Sequence, residues 1–307
     1  MSIRPAALRR SWLFLPGAER EVLLSAATSA ADVLIQELED FTPPQLRPQA
    51  HAIAGEVHSA WKAAGRIAAV RVNPLDDGGL VDLEKIMPAH PDIVALPKVS
   101  DADQIRALDK EITRLEKMLG ITSGSTEILP NIEYARGLVN TIDIAESSPR
   151  VKACLLAAED LATDLGAERG QDGTELLYCR QRFIVECRAA NVVPVDCPYT
   201  WQSGEQYLVD ETAYARRLGY TAKSCVHIPH AALINEILSP GPDQIEAAQH
   251  IVAAFDAARE QGKDRIEVQG SFVEMPTYLG AKRLLTRAEQ LGKYARQAEY
   301  ARHAKYD

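Results

Sequence analysis

Short apolar runs alternate with longer segments of helical periodicity along most of the chain. Apolar runs of about four to eight residues, bounded by turn signals, are typical of strands that are buried on both faces. The pattern predicts strands at residues 11–17, 31–40, 67–73, 92–99, 127–133, 153–158, 191–199 and 221–227. Regular strand–helix alternation predicts a parallel sheet, and eight such units in a chain of this length predict an α/β fold of the TIM (β/α)8 barrel type.

The segments between these strands have the composition and periodicity of helices. The predicted helices cover residues 18–31, 45–64, 80–87, 101–119, 135–147, 173–190, 204–218, 229–238 and 242–261. A doubly wound sheet is the competing architecture, and it normally carries a glycine-rich phosphate turn after its first strand. The corresponding turn here, LPGAER, contains a single glycine, which favours the barrel.

The pattern changes after Gly262. The stretch RIEVQGSFVEMPTYLGAKRLL indicates a strand or hairpin, a turn and a helix, and it lies outside the eight-unit count. We therefore predict a catalytic barrel domain over residues 1–262 and a C-terminal helical extension over residues 263–307. An extension of this size is either a lid or an oligomer contact.

Composition narrows the classes of partner. The chain has 307 residues, of which 46% are hydrophobic and 25% charged, as in globular proteins with a sizeable core. A net charge of -9 argues against nucleic-acid or membrane partners, and no apolar stretch approaches the length of a membrane span. Five scattered cysteines without a C-x-x-C pair indicate a reduced chain, so we expect a cytoplasmic protein.

Polar side chains stand at the ends of the predicted strands. They are Glu39, Asp40, Arg71, Asn73, Lys98, Glu133, Asp160, Asp196 and His227. In a TIM barrel the C-terminal ends of all eight strands meet at one mouth, where the active site is built. We therefore expect these side chains to converge there.

Two of these acids, Glu133 and Asp160, end the neighbouring fifth and sixth strands. Such a pair suits one hard cation such as Mg²⁺, although a salt bridge from Glu133 to an arginine is the simpler alternative. Arg71 either balances these acids or clamps a substrate carboxylate bidentately. Lys98 is a weaker substrate-binding candidate, and a single strand-end histidine such as His227 is more often structural.

Several motifs, in this order and spacing, resemble the HpcH/HpaI aldolase and citrate lyase superfamily, on its citrate lyase β-subunit-like (CitE-like) branch. They are RSWLFLPG, ELED, RVN, LPKV, NIEYARGL, AAEDLATDLG, LGYTAKSCVH and INEILSPG, between residues 10 and 241. The resemblance extends from about Arg10 to Leu285. It implies a TIM barrel and a homo-oligomer, either a trimer or a hexamer.

The resemblance also implies a Mg²⁺-dependent carbon–carbon lyase. Such an enzyme cleaves or forms a short 3-hydroxy acyl thioester, of the malyl-CoA, citramalyl-CoA or citryl type. The products are a 2-oxo acid and an acetyl-type thioester, carried on coenzyme A or a carrier protein. Glu133 and Asp160 match the metal ligands, and Arg71 matches the catalytic arginine that contacts the substrate's carboxylate or carbonyl. Glu39 and Asp40 resemble acids that hold the metal's water molecules.

Three features depart from the family pattern, and one of them is HIPHAALIN, where relatives tend to read H-P-x-Q-x-x-x-x-N. Thioester-cleaving relatives carry an aspartate in a C-terminal V-D or I-D motif, which acts as the base and often comes from a neighbouring subunit. The matching residue here is Glu274, within GSFVEMPTYLGAK. Relatives often have glycine where this chain has Ala157. These changes indicate a divergent member of the family.

Two alternatives stay open. A free-acid, pyruvate-type aldolase of the same superfamily would use an early histidine as its base, but His51 and His58 fall inside a predicted helix. A non-catalytic homologue would keep the fold and bind a metal and a carboxylate without turnover. Glu274, as a departure from the usual base, is the residue that keeps this second alternative open.

Overall fold

The eight predicted strands close into one parallel barrel. In the computed structural model, which describes residues 3–268 and 270–303, each strand pairs in parallel with the next and the eighth pairs with the first. The strands are β1 (Ser11–Pro16), β2 (Val33–Glu37), β3 (Ile67–Arg71), β4 (Ile93–Leu96), β5 (Glu127–Ile132), β6 (Ala153–Leu156), β7 (Val193–Asp196) and β8 (Ala222–Cys225). This topology confirms the TIM barrel.

Helices connect the strands around the outside of the barrel. They are α1 (Arg20–Ala26), α2 (Arg47–Ala63), α3 (Leu80–Ile86), α4 (Ala102–Leu119), α5 (Ala135–Val139), α6 (Thr141–Glu146), α7 (Glu159–Leu165), α8 (Leu177–Ala189), α9 (Glu205–Leu218) and α10 (His230–Ile237). The single helix predicted over residues 135–147 is two short helices, and α7 was not predicted. Asp101 caps the start of α4, where its side chain accepts the backbone N–H groups of Asp103 and Gln104.

Strand alternation separates an inner layer of side chains from an outer one. The inner layer fills the barrel and includes Trp12, Phe14, Val33, Ile35, Ile67, Ala69, Leu129, Leu155 and Val195. Because alternate residues of a strand share a face, Glu37 and Arg71, the last residues of β2 and β3, also lie on the inner face. They are also direct neighbours in the parallel register. The alternation that builds the core therefore also delivers charged groups to the mouth.

Ion pairs close the opposite end of the barrel. The buried Arg9 donates to both carboxylate oxygens of Glu127, at the start of β5. Arg10 binds the buried Asp32 with its backbone N–H at 2.8 Å and its guanidinium at 2.9 Å. The N-terminal face of a TIM barrel contributes stability rather than chemistry, so we assign these pairs a structural role.

The expectation that Asp196 faces the mouth was wrong. Asp196 is fully buried and follows the inward-facing Val195, so it points out of the barrel towards the helices. There it accepts hydrogen bonds from Arg180 at 2.8 and 2.9 Å and from Lys223 at 2.8 Å. Lys223 also donates to Glu211 at 2.6 Å. This buried ion cluster ties α8 and α9 to β7 and β8.

A second compact unit begins at Ser239, after the barrel unit ends at Leu238. It contains α11 (Pro242–Glu260), the antiparallel hairpin β9 (Ile266–Val268) and β10 (Ser271–Val273), and α12 (Met275–His303). Its own small core is formed by Phe255, Val273 and Tyr278. The predicted hairpin and helix are confirmed, while α11 belongs to this unit rather than to the barrel. The unit's role as lid or oligomer contact stays a prediction, and the last four residues lie outside the described ranges.

No helix within the described part of the chain is both long and apolar enough to span a membrane.

The ion cluster around Asp196 generates a stability prediction. Replacing Lys223 by Met leaves buried carboxylates short of one cation, and breaking such a pair costs about 3–5 kcal/mol. We expect K223M to lower the free energy of unfolding in urea by this amount. The control is R106M, which breaks the exposed Arg106–Asp103 pair and should cost far less. Equal losses in the two variants would contradict the structural role of the cluster.

Candidate active site

A cavity of about 320 Å³ opens at the C-terminal ends of the barrel strands. It is lined by Phe14, Asp40, Phe41, Arg71, Leu155, Ala157, Ala158, Glu159, Asp160, Pro198, Thr200, Ser224 and Val226. These residues come from the ends of β1, β3, β6 and β8 and from the loops after β2 and β7. A larger depression of about 580 Å³ lies on the helical outer layer, but its charged residues, such as Arg106 and Arg136, are exposed. We therefore place the candidate site at the strand ends.

Arg71 is the central cation of this site. Its buried guanidinium donates a hydrogen bond from Nε to Oε1 of Glu37 at 2.9 Å. One Nη atom lies 3.4 Å from Oε2 of Glu39, and the other lies 3.7 Å from Oε1 of Glu133. Asp40 is 3.9 Å away. A single guanidinium, at the end of β3, is thus shared among four carboxylates from two strand ends, those of β2 and β5.

Glu37 anchors Arg71, although no role was predicted for this residue. It is fully buried, and its carboxylate also accepts the backbone N–H groups of Glu39 and Phe41. These bonds fix both the guanidinium and the loop after β2. Strand alternation could have identified Glu37, because it lies two positions after the inward-facing Ile35 and so shares its face.

Lys98 supplies the second positive charge. Its Nζ atom lies 2.6 Å from Oε1 of Glu39, and this contact raises the pKa of the ammonium. Lys98 adopts a left-handed backbone conformation, with φ of 56°, which is uncommon for a residue other than glycine. Burial raises the pKa of Glu39, while Arg71 and Lys98 act to lower it.

Glu133 is a buried carboxylate that lacks hydrogen bonds. It is fully inaccessible, and neither of its oxygens accepts a hydrogen bond from any described residue. Burial raises its pKa to about 8, against the attraction of Arg71 and with a further rise from Glu39 and Asp160. Asp160 is half-buried at the start of α7 and lines the cavity. Two nearby carboxylates with unused oxygen donors suit a hard divalent cation, so the residues fit one.

The structure thus brings together six of the predicted site residues: Glu39, Asp40, Arg71, Lys98, Glu133 and Asp160. The remaining candidates behave differently. Asn73 donates from Nδ2 to Asp82 at 2.7 Å and to the carbonyl of Leu38 at 3.0 Å, and Asp196 lies in the buried ion cluster with Lys223. His227 contacts the backbone carbonyl of Thr200 at 3.1 Å and packs edge-on against His230. Glu274 lies in the second unit, between β10 and α12, and pairs there with Arg265 at 3.2 Å.

A different cluster has metal-like spacing. Within the described ranges, Asp196, Cys197 and Glu211 place three possible ligand atoms within 4.8 Å of one another. However, Nζ of Lys223 lies 2.8 Å from Asp196 and 2.6 Å from Glu211, so an ammonium already supplies the positive charge. We therefore assign no metal to this cluster.

Sequence comparisons extend this description. A family model described as HpcH/HpaI aldolase/citrate lyase matches residues 10–228. The citrate lyase subunit beta of Escherichia coli (strain K12) is 32% identical over 292 residues, covering 94% of this chain and 96% of that protein. The L-malyl-CoA/beta-methylmalyl-CoA lyase of Cereibacter sphaeroides (strain ATCC 17029) is 29% identical over 309 residues, covering 94% and 96%.

Solved structures show the same fold. A citrate lyase from Burkholderia xenovorans LB400 superposes with a TM-score of 0.80 at 20% identity, covering 95% of each chain. CitE from Mycobacterium tuberculosis, in complex with magnesium, acetoacetate and coenzyme A, gives a TM-score of 0.76 at 23% identity. That match covers 92% of this chain and 99% of the other.

The raised pKa of Glu133 predicts a pH-dependent stability. Between the ordinary value of 4.5 and about 8, the folded metal-free protein holds a proton that the unfolded chain releases. The free energy of unfolding should therefore fall by a few kcal/mol as the pH rises through this window. Chelator-treated E133Q should lose this dependence and gain stability over the wild type above pH 8. If the free energy of unfolding varied with pH in the same way in both proteins, the assignment of the raised pKa to Glu133 would be wrong.

Proposed function

The chain belongs to the HpcH/HpaI aldolase/citrate lyase family, and from that premise we propose that it is a Mg²⁺-dependent carbon–carbon lyase. Its substrate is a short 3-hydroxy acyl thioester, of the malyl-CoA, citramalyl-CoA or citryl type, and its products are a 2-oxo acid and an acetyl-type thioester. The observation that carries the proposal is the pair of unused, buried Glu133 oxygens beside Asp160 at the mouth of the barrel.

Glu133 and Asp160 would hold the magnesium ion. When bound, Mg²⁺ acts as a Lewis acid that polarises the oxygens of the 2-oxo or 2-hydroxy acid. Arg71 lines the cavity and is locked by Glu37, so it would fix the substrate's carboxylate or carbonyl without first having to become ordered. Lys98 neutralises Glu39, and because its ammonium does not line the cavity we do not propose the direct substrate contact predicted for it. Glu39 and Asp40 would hold water molecules of the metal.

The chemistry requires one mobile proton. In cleavage, a carboxylate takes the proton of the 3-hydroxyl group and the carbon–carbon bond breaks to give the 2-oxo acid. The bonding electrons pass into the thioester, whose α-carbon is then reprotonated by the same carboxylate. We propose Glu274 for this role, donated from a neighbouring subunit of a homo-oligomeric trimer or hexamer.

The buried, unpaired state of all five cysteines supports the proposed cytoplasmic location, because thiols persist in a reducing compartment.

Two further observations bear on the free-acid aldolase alternative. His51 binds Asp82 at 2.8 Å, and His58 is buried against Trp61. Both histidines lie within α2, as predicted, and neither lines the cavity. The early histidine base that this alternative needs therefore has no support here.

The metal assignment predicts the behaviour of two variants. E133Q and D160N each remove one charged ligand, so each should weaken Mg²⁺ binding by more than about 100-fold and abolish Mg²⁺-dependent cleavage. Calorimetric titration with Mg²⁺ and a thioester cleavage assay measure the two effects. D164N is the matched control, since Asp164 lies in the same helix but binds the backbone of Ala135. Full activity in both E133Q and D160N would refute the assignment.

The proposed base makes a separate prediction. E274Q should lower kcat by about 100-fold or more, as expected for the loss of a general acid–base catalyst, and leave 2-oxo acid binding intact. E274D restores a carboxylate and should recover turnover. The matched control is E267Q, on the same hairpin. If neither the wild type nor any variant turns over a broad thioester panel while Mg²⁺ still binds, the non-catalytic alternative is correct.

A further inference from the structure

The cavity at the barrel mouth has an apolar floor. Phe14, Leu155, Ala157 and Val226 belong to the cluster of side chains that fills the barrel interior, and all four also line the cavity. Phe14 and Leu155 are almost fully buried, and Ala157 and Val226 are half-buried. A substrate bound here therefore rests on the uppermost layer of the hydrophobic core.

The rim of the cavity carries both apolar and acidic side chains. Phe41 and Pro198 add further apolar surface to the cavity lining, which we call its apolar wall. The lining also contains the acids Asp40, Glu159 and Asp160, and Thr200 donates a hydrogen bond to Glu159 at 3.0 Å. The lining thus combines acids with an apolar floor, and Arg71 contacts both, with its guanidinium carbon 5.2 Å from the Phe14 ring centroid and 5.8 Å from that of Phe41.

Positive charge is scarce in this cavity. Among the described lining residues, Arg71 is the one cation. Its guanidinium already faces Glu37, Glu39 and Glu133. Lys98 is occupied by Glu39 at 2.6 Å and is not part of the lining. With a divalent cation present, the site can neutralise one carboxylate, and a second carboxylate on the floor would lie against Leu155 or Val226.

We infer, on the basis of the proposed function, that the acid substrate is a monocarboxylic 2-oxo acid with a short alkyl group. Pyruvate and its longer homologues fit this description, and the dicarboxylic oxaloacetate does not. The carboxylate and 2-oxo oxygens occupy the side of Arg71, Glu133 and Asp160. The alkyl group covers the apolar floor and removes it from water. A second carboxylate would lose its hydration without gaining a partner there.

Ala157 and Phe41 set the size and polarity of the alkyl side. Ala157 stands at the end of the β6 segment, where a larger side chain narrows the floor. Phe41 is 41% exposed at the rim and packs near Arg71, with its ring centroid 5.8 Å from the guanidinium carbon. Removal of a two-carbon unit from citrate leaves oxaloacetate, so the inference separates this chain from the reaction for which its citrate lyase relatives are named.

The test uses the full-length protein with Mg²⁺. Binding of glyoxylate, pyruvate, 2-oxobutyrate and oxaloacetate is measured by calorimetry without any thioester. Condensation of each acid with acetyl-CoA is then followed by mass detection of the 3-hydroxy acyl thioester. We expect pyruvate and 2-oxobutyrate to exceed both glyoxylate and oxaloacetate at least 10-fold in affinity and in kcat/KM.

Two variants at the exposed rim position sharpen the test. F41K adds a cation to the apolar wall, so it should raise the oxaloacetate-to-pyruvate ratio of kcat/KM at least 10-fold. F41M keeps the wall apolar and should retain the preference for pyruvate. A157V should reduce the use of 2-oxobutyrate more than that of pyruvate, because it shortens the space for the alkyl group.

The outcomes separate this inference from the proposal beneath it. Equal or better use of oxaloacetate or glyoxylate by the wild type, or an F41K ratio that matches F41M, overturns the inference and leaves the lyase assignment standing. If no 2-oxo acid binds in the presence of Mg²⁺, the proposed function itself fails and the inference fails with it.

Discussion

The sharing of one buried guanidinium among four carboxylates is the constraint on which the rest of this site depends. Glu37 takes the direct hydrogen bond to Arg71, and Glu39 divides its charge between Arg71 and Lys98. Glu133 is left with a guanidinium nitrogen at 3.7 Å and no hydrogen bond from the described residues. The site is therefore short of positive charge, and either a proton or a cation must complete it. This shortage connects the architecture of the barrel to its chemistry.

The sequence predicted the barrel and six of the site residues because both follow from strand ends. Once eight buried strands alternate with helices, the residues that end them share one mouth, whatever lies between them. The prediction was wrong for Asp196 because position along a strand does not fix which face a side chain takes. Val195 already occupied the inner face, so the next residue had to point outward into the helices. Following the alternation of side chains outward from known core residues would have assigned Asp196 to the outer face. The same step would have identified Glu37 as an inward-facing residue.

Other features could not be predicted from local patterns. The apolar floor assembles Phe14, Leu155 and Val226 from β1, β6 and the end of β8, which only the closed barrel brings side by side. Helix α7 begins directly at the acids that follow β6, and no helix was predicted over its seven residues. Helix α11 looked like the last barrel helix by periodicity, and only its contacts assign it to the second unit. Each of these facts depends on long-range contacts.

The ion cluster behind the cavity has a consequence of its own. Lys223 supplies to Asp196 and Glu211 the charge that a bound ion would otherwise provide, and Ser224 beside it reaches the cavity wall while donating to the Asp196 carbonyl. A cation built into the polypeptide cannot dissociate, exchange or be chelated. This wall therefore keeps its shape whatever salts the surrounding medium contains, whereas under the proposed function the carboxylate at the end of β5 would take its counter-charge from solution. One framework would thus combine a permanent cation with a replaceable one, on opposite sides of the same sheet.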